Sequence, residues 1–355
     1  MPGGLFIPFT LREVRFANRI FLSPMCQYSA ENGAPTDWHL VHLGSRAVGG
    51  AGLVLVEATA VCPEGRISPV DLGLWSDDQT AAFRRITPFM RAQGAAVGVQ
   101  LAHAGRKASN RPTWDRGAPL LPEDGGWRPL APSSLPFDPS SQVPLEMTAS
   151  DIERVVQSFE AAARRALEAG FQVVEIHMAH GYLLHQFLSP LANRRTDRFG
   201  GSLENRMQLP LAVAAAVRRA WPAVLPLLAR VSATDWMDDG WDLEQTITLC
   251  RRLKEIGVDM IDCSSGGLDP GATAPNYPGY QTPFATTIRR EVGIPTGAVG
   301  LIQSPQQADQ IVSTGQADVV LLGRELLRDP YWPLHAARTL GVDVPWPRQY
   351  LRAKS

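Results

Sequence analysis

The segment His177-Met178-Ala179-His180-Gly181-Tyr182 sets two imidazoles three residues apart, with a phenol two residues beyond the second. Neutral imidazoles so placed can donate N–H bonds to a carbonyl oxygen that is gathering negative charge, an oxyanion-hole role. The same pair could instead ligate a metal. That needs a third ligand, and Asp235, Asp238 and Asp239, which follow the fifth strand, could supply one. A purely structural pair packed under a loop is the remaining reading. Tyr182 can donate a proton, although a buried tyrosine often only satisfies a neighbour.

Other chemistry-bearing residues are spread along the chain. Cys26, within Ser23-Pro24-Met25-Cys26-Gln27-Tyr28, offers a polarisable, weakly hydrogen-bonding thiol. Lys107 and Arg230 suit an anion formed during turnover, and Gln100 adds an amide. Gly297–Gly300 and Gly323-Arg324 are glycine turns whose backbone N–H groups could cradle a phosphate, with Arg324 adding a charge-assisted bond. No carboxylate cluster stands out among these residues.

Positioning them requires a scaffold, and the chain spells one out. Strand character recurs at Ile20–Ser23, Leu53–Glu57, Ala96–Leu101, Val173–His177, Leu225–Val231, Val258–Cys263, Thr296–Val299 and Val319–Leu322. Several of these are nearly continuous apolar runs, as parallel strands covered on both faces should be. Helical patterns intervene at 37–48, 77–93, 148–169, 202–220, 242–256, 282–292 and 304–314. Most open on Ser, Thr or Asp, and five are followed at once by Gly94, Gly170, Gly257, Gly293 or Gly315. Eight such units predict one (β/α)8 barrel over residues 1–355. A doubly wound sheet is disfavoured, because no GxGxxG follows the first strand. Residues 4–16 are expected to form a hairpin under the barrel. Residues 103–147 carry eight prolines without helical period and are expected to cap the mouth, burying Trp114, Trp127, Leu120, Leu121 and Leu130. In such a barrel chemistry sits at the C-terminal strand ends, where the residues above fall.

Composition narrows the function class. The 355 residues hold 34 Lys and Arg against 35 Asp and Glu, so nothing suggests a nucleic-acid or anionic-membrane surface. The charged fraction of 19% is below the usual quarter, which leaves apolar surface for a cofactor or a subunit interface. Four scattered cysteines, Cys26, Cys62, Cys250 and Cys263, form no disulfide framework, zinc ribbon or iron–sulfur spacing, and no resident metal is expected. The opening Met1–Phe6 stretch lacks the features of a signal peptide, and no apolar run approaches a membrane span, so a cytoplasmic location is expected.

Taken in order, these segments resemble the Old Yellow Enzyme family of flavin ene-reductases, in its thermophilic-like bacterial subgroup of NADPH dehydrogenases and xenobiotic reductases. The matching residues are Ser23–Tyr28, Glu57-Ala58, Gln100–Lys107, His177–Tyr182, Asn193–Ser202 and Gly323-Arg324-Glu325. The resemblance implies non-covalent FMN at the barrel mouth and NADPH as reductant. Ser23, Pro24, Met25, Cys26, Ala58, Gln100 and Arg230 would line the flavin ring, and Gly300, Gly323 and Arg324 would hold its phosphate. It implies that an α,β-unsaturated ketone or aldehyde then takes up the hydride, with nitro compounds and nitrate esters as further acceptors. His177 and His180 would hold the carbonyl, Tyr182 would protonate the α-carbon, and Cys26 would tune the flavin. Tyr28 would add a substrate contact, while Lys107 and Arg230 would favour the anionic reduced ring. Tyr350-Leu351-Arg352, in a tail over 343–355, implies a homodimer or homotetramer in which Arg352 reaches a neighbouring active site.

Overall fold

Leu53-Val-Leu-Val-Glu-Ala-Thr-Ala60 is buried at every position, a pattern possible only where one face of a strand meets a barrel interior and the other meets helices. The computed structural model describes residues 4–354, so the Met1–Gly3 start of the N-terminal stretch and Ser355 of the tail lie outside the described residues. Eight parallel strands close into a barrel. They are β1 (Ile20–Leu22), β2 (Leu53–Ala60), β3 (Ala96–Ala102), β4 (Val173–Met178), β5 (Leu227–Ser232), β6 (Met260–Ser264), β7 (Thr296–Ala298) and β8 (Val319–Leu322). Each pairs with the next, and β8 returns to β1 through Val320 opposite Ile20. The (β/α)8 barrel is therefore observed, not only expected.

Among the described residues, eleven helices surround it: α1 (Asp37–Val48), α2 (Asp77–Phe83), α3 (Thr87–Ala92), α4 (Ala149–Glu168), α5 (Leu183–Leu188), α6 (Leu203–Ala220), α7 (Leu243–Ile256), α8 (Thr282–Val292), α9 (Pro305–Ser313), α10 (Arg324–Arg328) and α11 (Trp332–Thr339). Side chains of Ser76, Thr148, Ser202, Asp242 and Ser304 accept the backbone N–H three residues on, which satisfies donors that a helix start leaves orphaned. The single helix expected over 77–93 is two, because Pro88 has no N–H to continue the first and restarts the chain as α3. The fifth strand starts at Leu227 instead of Leu225, since Pro226 cannot donate into the ladder. Among the described residues, no helix is long and apolar enough to cross a membrane.

A hairpin pairs Phe9–Leu11 with Val14–Phe16, and Phe16 packs 4.8 Å from Phe21 of β1. With Leu53, Leu228 and Met260 these residues form an apolar plug at the bottom of the barrel, which leaves the C-terminal strand ends as the accessible mouth. Over that mouth, residues 103–147 form short 3-10 turns and a two-residue parallel pair, Leu130–Ala131 with Leu145–Glu146. Trp127 anchors the segment by donating to the Glu64 carbonyl, and the Arg66 guanidinium covers its ring. Leu120 is buried as expected, but Trp114 is 64% exposed and Leu121 40%. Trp114 stands edge-on to Tyr28 at the rim, so only one side of the indole is covered.

Candidate active site

β4 ends at Met178, and the chain then turns through His180 in the left-handed region (φ 58°), a conformation non-glycine residues seldom adopt. This turn folds the two imidazoles against each other, with ring centroids 5.1 Å apart and planes at 86°. His177 Nδ1 accepts the Ala179 N–H at 3.3 Å, so its proton sits on Nε2, which is left free as a donor. His180 Nε2 lies 2.7 Å from Ser264 Oγ. Ser264 Oγ also donates to Gln281 Oε1 at 3.4 Å, the same oxygen that takes a 2.6 Å bond from Ser265. Burial first, and the Arg230 charge second, hold both rings well below the ordinary histidine pKa. Near neutrality the site presents two uncharged imidazoles, and the His177 Nε2–H is free.

The residues behind the turn explain its rigidity. Ser232 Oγ accepts the His180 N–H, and Lys107 Nζ donates to the His180 carbonyl at 2.9 Å and the Gly267 carbonyl at 3.0 Å. His185 of α5 accepts the Gly181 N–H on Nδ1 and points Nε2 at Asp235, 2.9 Å away. Asp235 also accepts from Ser189 Oγ and the Trp241 N–H. Burial works against its charge, but the His185 pairing outweighs that and holds the carboxyl below the usual range. The acid available as a third metal ligand is thus committed to His185, while Asp238 and Asp239 are exposed.

Tyr182 is the N-cap of α5, with its ring 5.0 Å from His177. Burial raises its phenol well above the ordinary value, so it remains a proton donor. The Lys107 ammonium lies 5.2 Å above the same ring, and burial, then Arg106, lower it to about 8. Lys107 thus stands beside the imidazole turn with two of its N–H groups already used. Tyr28, Tyr182 and Lys107 share a cavity of about 490 Å3 roofed by Phe137 and by the 111–119 segment.

Beneath the imidazoles, inside the barrel and short of the strand ends, lie two carboxyls, Glu175 and Asp262. Arg230 donates to Ser23 Oγ at 2.9 Å and sets Nε 3.2 Å from Asp262. Gln100 donates to Glu175 at 2.8 Å. Glu175 and Asp262 are fully buried on β4 and β6, and burial drives both carboxyls up; the Asp262 charge raises Glu175 further, to about 8. The signal for this pair was an acid inside each of two apolar strands, where an unpaired charge is too costly to persist.

The Ser23–Tyr28 turn is held from outside. Glu57 accepts the Gln27 N–H at 2.6 Å and faces His39 Nε2 at 3.2 Å; His39 Nδ1 in turn accepts the Thr36 N–H. Burial keeps the Cys26 thiol protonated, which suits packing and weak hydrogen bonding better than nucleophilic attack. Ala58 and Gln100 lie near the C-terminal ends of β2 and β3, paired in register.

A second cavity, of about 160 Å3, lies at the ends of β7 and β8 between Gly300, Gly323 and Arg324. Gly300 has φ 122°, and a Cβ there would stand 2.8 Å from Gln281 Nε2, so only glycine keeps both the turn and the space. Arg324 is exposed on the cavity wall. A phosphate fits this cradle, and the floor from Ser23 to Arg230 presents donors to the polar edge of a planar ring. The donor set therefore fits FMN. Arg352 does not converge here. It lies exposed in a 3-10 turn (Arg348–Ala353) that Tyr350 secures against Tyr331.

Known proteins match this arrangement along its length. The chain is 50% identical over 350 residues to the NADPH dehydrogenase of Geobacillus thermodenitrificans (strain NG80-2), covering 98% of each protein. The structure superposes with a TM-score of 0.79 on morphinone reductase in complex with tetrahydroNAD, at 26% identity, covering 98% of this chain and 94% of that one. An old yellow enzyme homologue from Zymomonas mobilis superposes with a TM-score of 0.78, at 25% identity, covering 99% and 96%. The sequence profile of the NADH:flavin oxidoreductase / NADH oxidase family matches residues 4–342. A glycine-lined cavity at the ends of β7 and β8, a polar floor and this end-to-end likeness converge on one conclusion: the chain belongs to that family, and is an oxidoreductase that uses FMN and takes its electrons from NADPH.

Proposed function

We propose that the electrons leave as a hydride to the activated C=C bond of an α,β-unsaturated ketone or aldehyde, with nitro compounds and nitrate esters as further acceptors. The two substrates take turns in one pocket, a ping-pong cycle. The observation that carries this reading is the pair of uncharged imidazoles folded against each other at the end of β4, with the His177 Nε2–H unspent. Bound FMN supplies the hydride carrier between NADPH and acceptor. Ser23, Gln100 and Arg230 hold the polar edge of its ring, Met25, Cys26 and Ala58 pack beside it, and Gly300, Gly323 and Arg324 hold its phosphate.

The His177 Nε2–H and the His180 ring N–H bond the carbonyl oxygen and draw electron density from the β-carbon. As hydride adds there, the π pair moves onto oxygen, and the two N–H groups meet the enolate charge where it forms. A carboxylate at this place would repel that charge. Tyr182 passes its phenolic proton to the α-carbon and recovers one from water. Tyr28 adds a contact to the substrate, and Lys107 contributes a positive field over the same pocket.

The test is visible by eye. The purified protein is expected to be yellow, to bleach anaerobically with NADPH and to recolour with cyclohexenone. Bleaching without recolouring by any enone or nitro compound would overturn the reading. Tyr182→Phe should slow recolouring by about 10²-fold, the lower range for a lost general acid, while bleaching is unchanged. An unaltered rate would assign the proton to water.

We further infer a homodimer or homotetramer in which Arg352 reaches a neighbouring active site. Its exposed position on a secured tail, away from its own pocket, supports this. Arg352→Ala should raise the KM for enone about ten-fold, a lost charge-assisted contact, and deletion of 343–355 should also weaken assembly. Wild-type kinetics and oligomer size in both variants would reject it. A cytoplasmic location is in keeping with four free cysteines.

A further inference from the structure

The 490 Å3 cavity has an inner and an outer half. Tyr28, Tyr182 and Lys107 form the inner wall, next to the imidazole pair, while Arg111, Thr113 and Arg116 form the outer rim on the capping segment. The rim is unusual in two ways. Neither the Arg111 nor the Arg116 guanidinium has a hydrogen bond, ion pair or ring partner among the described residues, although such groups commonly settle on a nearby carboxylate or carbonyl. Trp114, between them in sequence, leaves its indole 64% exposed, with Tyr28 covering only an edge. The one carboxylate lining the cavity, Asp138, is spent on its own turn, accepting from Ser140 and Ser141. The cavity therefore carries three cations against one occupied acid, and the segment that brings its two free guanidiniums also carries the exposed Trp114 indole, which does not itself line the cavity.

A flat heteroaromatic ring beside a phosphate dianion is the chemistry that fits such a rim. Guanidinium groups bind phosphate oxygens through paired N–H bonds, and indole faces stack on purines. Because NADPH places its nicotinamide in the inner half, its far end is delivered to the outer half of the same cavity. We propose that Arg111 and Arg116 bind the 2′-phosphate of NADPH and Trp114 stacks on its adenine, so that the capping segment selects NADPH over NADH. This rests on NADPH as the reductant and is independent of which acceptor is reduced.

The test uses the yellow holoprotein and reads only its anaerobic bleaching and its binding of a fragment. Reductant is varied among NADPH, NADH and reduced nicotinamide mononucleotide. For Arg111→Gln/Arg116→Gln, the concentration of NADPH giving half-maximal bleaching rate should rise about ten-fold, a loss of about 1.4 kcal/mol. The maximal rate, and both values for NADH and the mononucleotide, should stay within about two-fold. Trp114→Ala should weaken NADPH and NADH together and leave the mononucleotide unchanged. In calorimetry, adenosine 2′,5′-bisphosphate should bind the oxidised wild-type holoprotein and lose about ten-fold in affinity in the double variant. A double variant that keeps the wild-type preference for NADPH over NADH overturns the proposal. So does one that weakens the mononucleotide equally, because the arginines then act on the inner half. Bleaching is scored before any acceptor is added, so a failure of enone reduction cannot be mistaken for either result.

Discussion

His177→Ala combined with His180→Ala is expected to slow recolouring by cyclohexenone about 10³-fold while NADPH-driven bleaching changes little. Removing one oxyanion donor typically costs about 10²–10³ in rate. Two donors to one oxygen act as a unit, so the double loss falls well short of the product of the singles. Bleaching is spared because a dihydronicotinamide gives up its hydride without developing charge on an oxygen held by these rings. Planar phenolates, which place a negative oxygen where the enolate oxygen forms, should bind the variant more weakly. Asparagine at either position keeps an N–H donor and should recover part of the rate, which separates lost hydrogen bonding from disturbed packing around two buried residues. Wild-type recolouring in the alanine variant would remove the imidazoles from the reaction.

What makes those rings effective was only partly legible in the sequence. The strands could be read because Leu-Val-Leu-Val and Val-Val-Leu-Leu runs bury on both faces, and the imidazole pair because two histidines follow such a run directly. The orientation of each ring was not. Ser264 is one more serine at the end of a strand, and nothing in its neighbours says that its hydroxyl meets His180 from 84 residues away. His185 and Asp235 are similar: each reads as an ordinary residue until the fold brings them within 2.9 Å. Such pairings depend on barrel closure, which local pattern does not encode. Trp114 shows the opposite failure. Its size argues for burial, yet the structure leaves the indole at the rim, and local hydrophobicity alone could not separate a core residue from a binding platform. The acids within apolar strands are a third case, because Glu57, Glu175 and Asp262 announced that partners must exist without naming them.

The partner of two of these acids carries the second large effect. Arg230→Met is expected to destabilise the protein by about 3–5 kcal/mol at pH 8, the usual result of stranding one member of a buried ion pair. Arg230 is the cation that lowers both Asp262 and Glu175 against the upward push of burial, and Asp262 has no exposure to water. Without it both native carboxyl pKa values climb further, while their unfolded values stay near 4. A carboxyl whose native pKa is raised costs nothing below its unfolded pKa. The cost grows as pH climbs toward the native value, because only the unfolded chain then sheds its proton freely. The deficit of the variant should accordingly shrink between pH 8 and pH 5. Urea midpoints measured in saturating FMN at the two pH values provide the check. A lost contact to the cofactor ring would subtract a similar amount at both, whereas stranded acids follow the proton. Asp262→Asn in the same chain removes the stranded charge and should restore most of the stability at pH 8. Equal losses at pH 5 and pH 8, with no rescue by asparagine, would mean that Arg230 serves the flavin floor alone and that the carboxyl pair holds itself neutral without it.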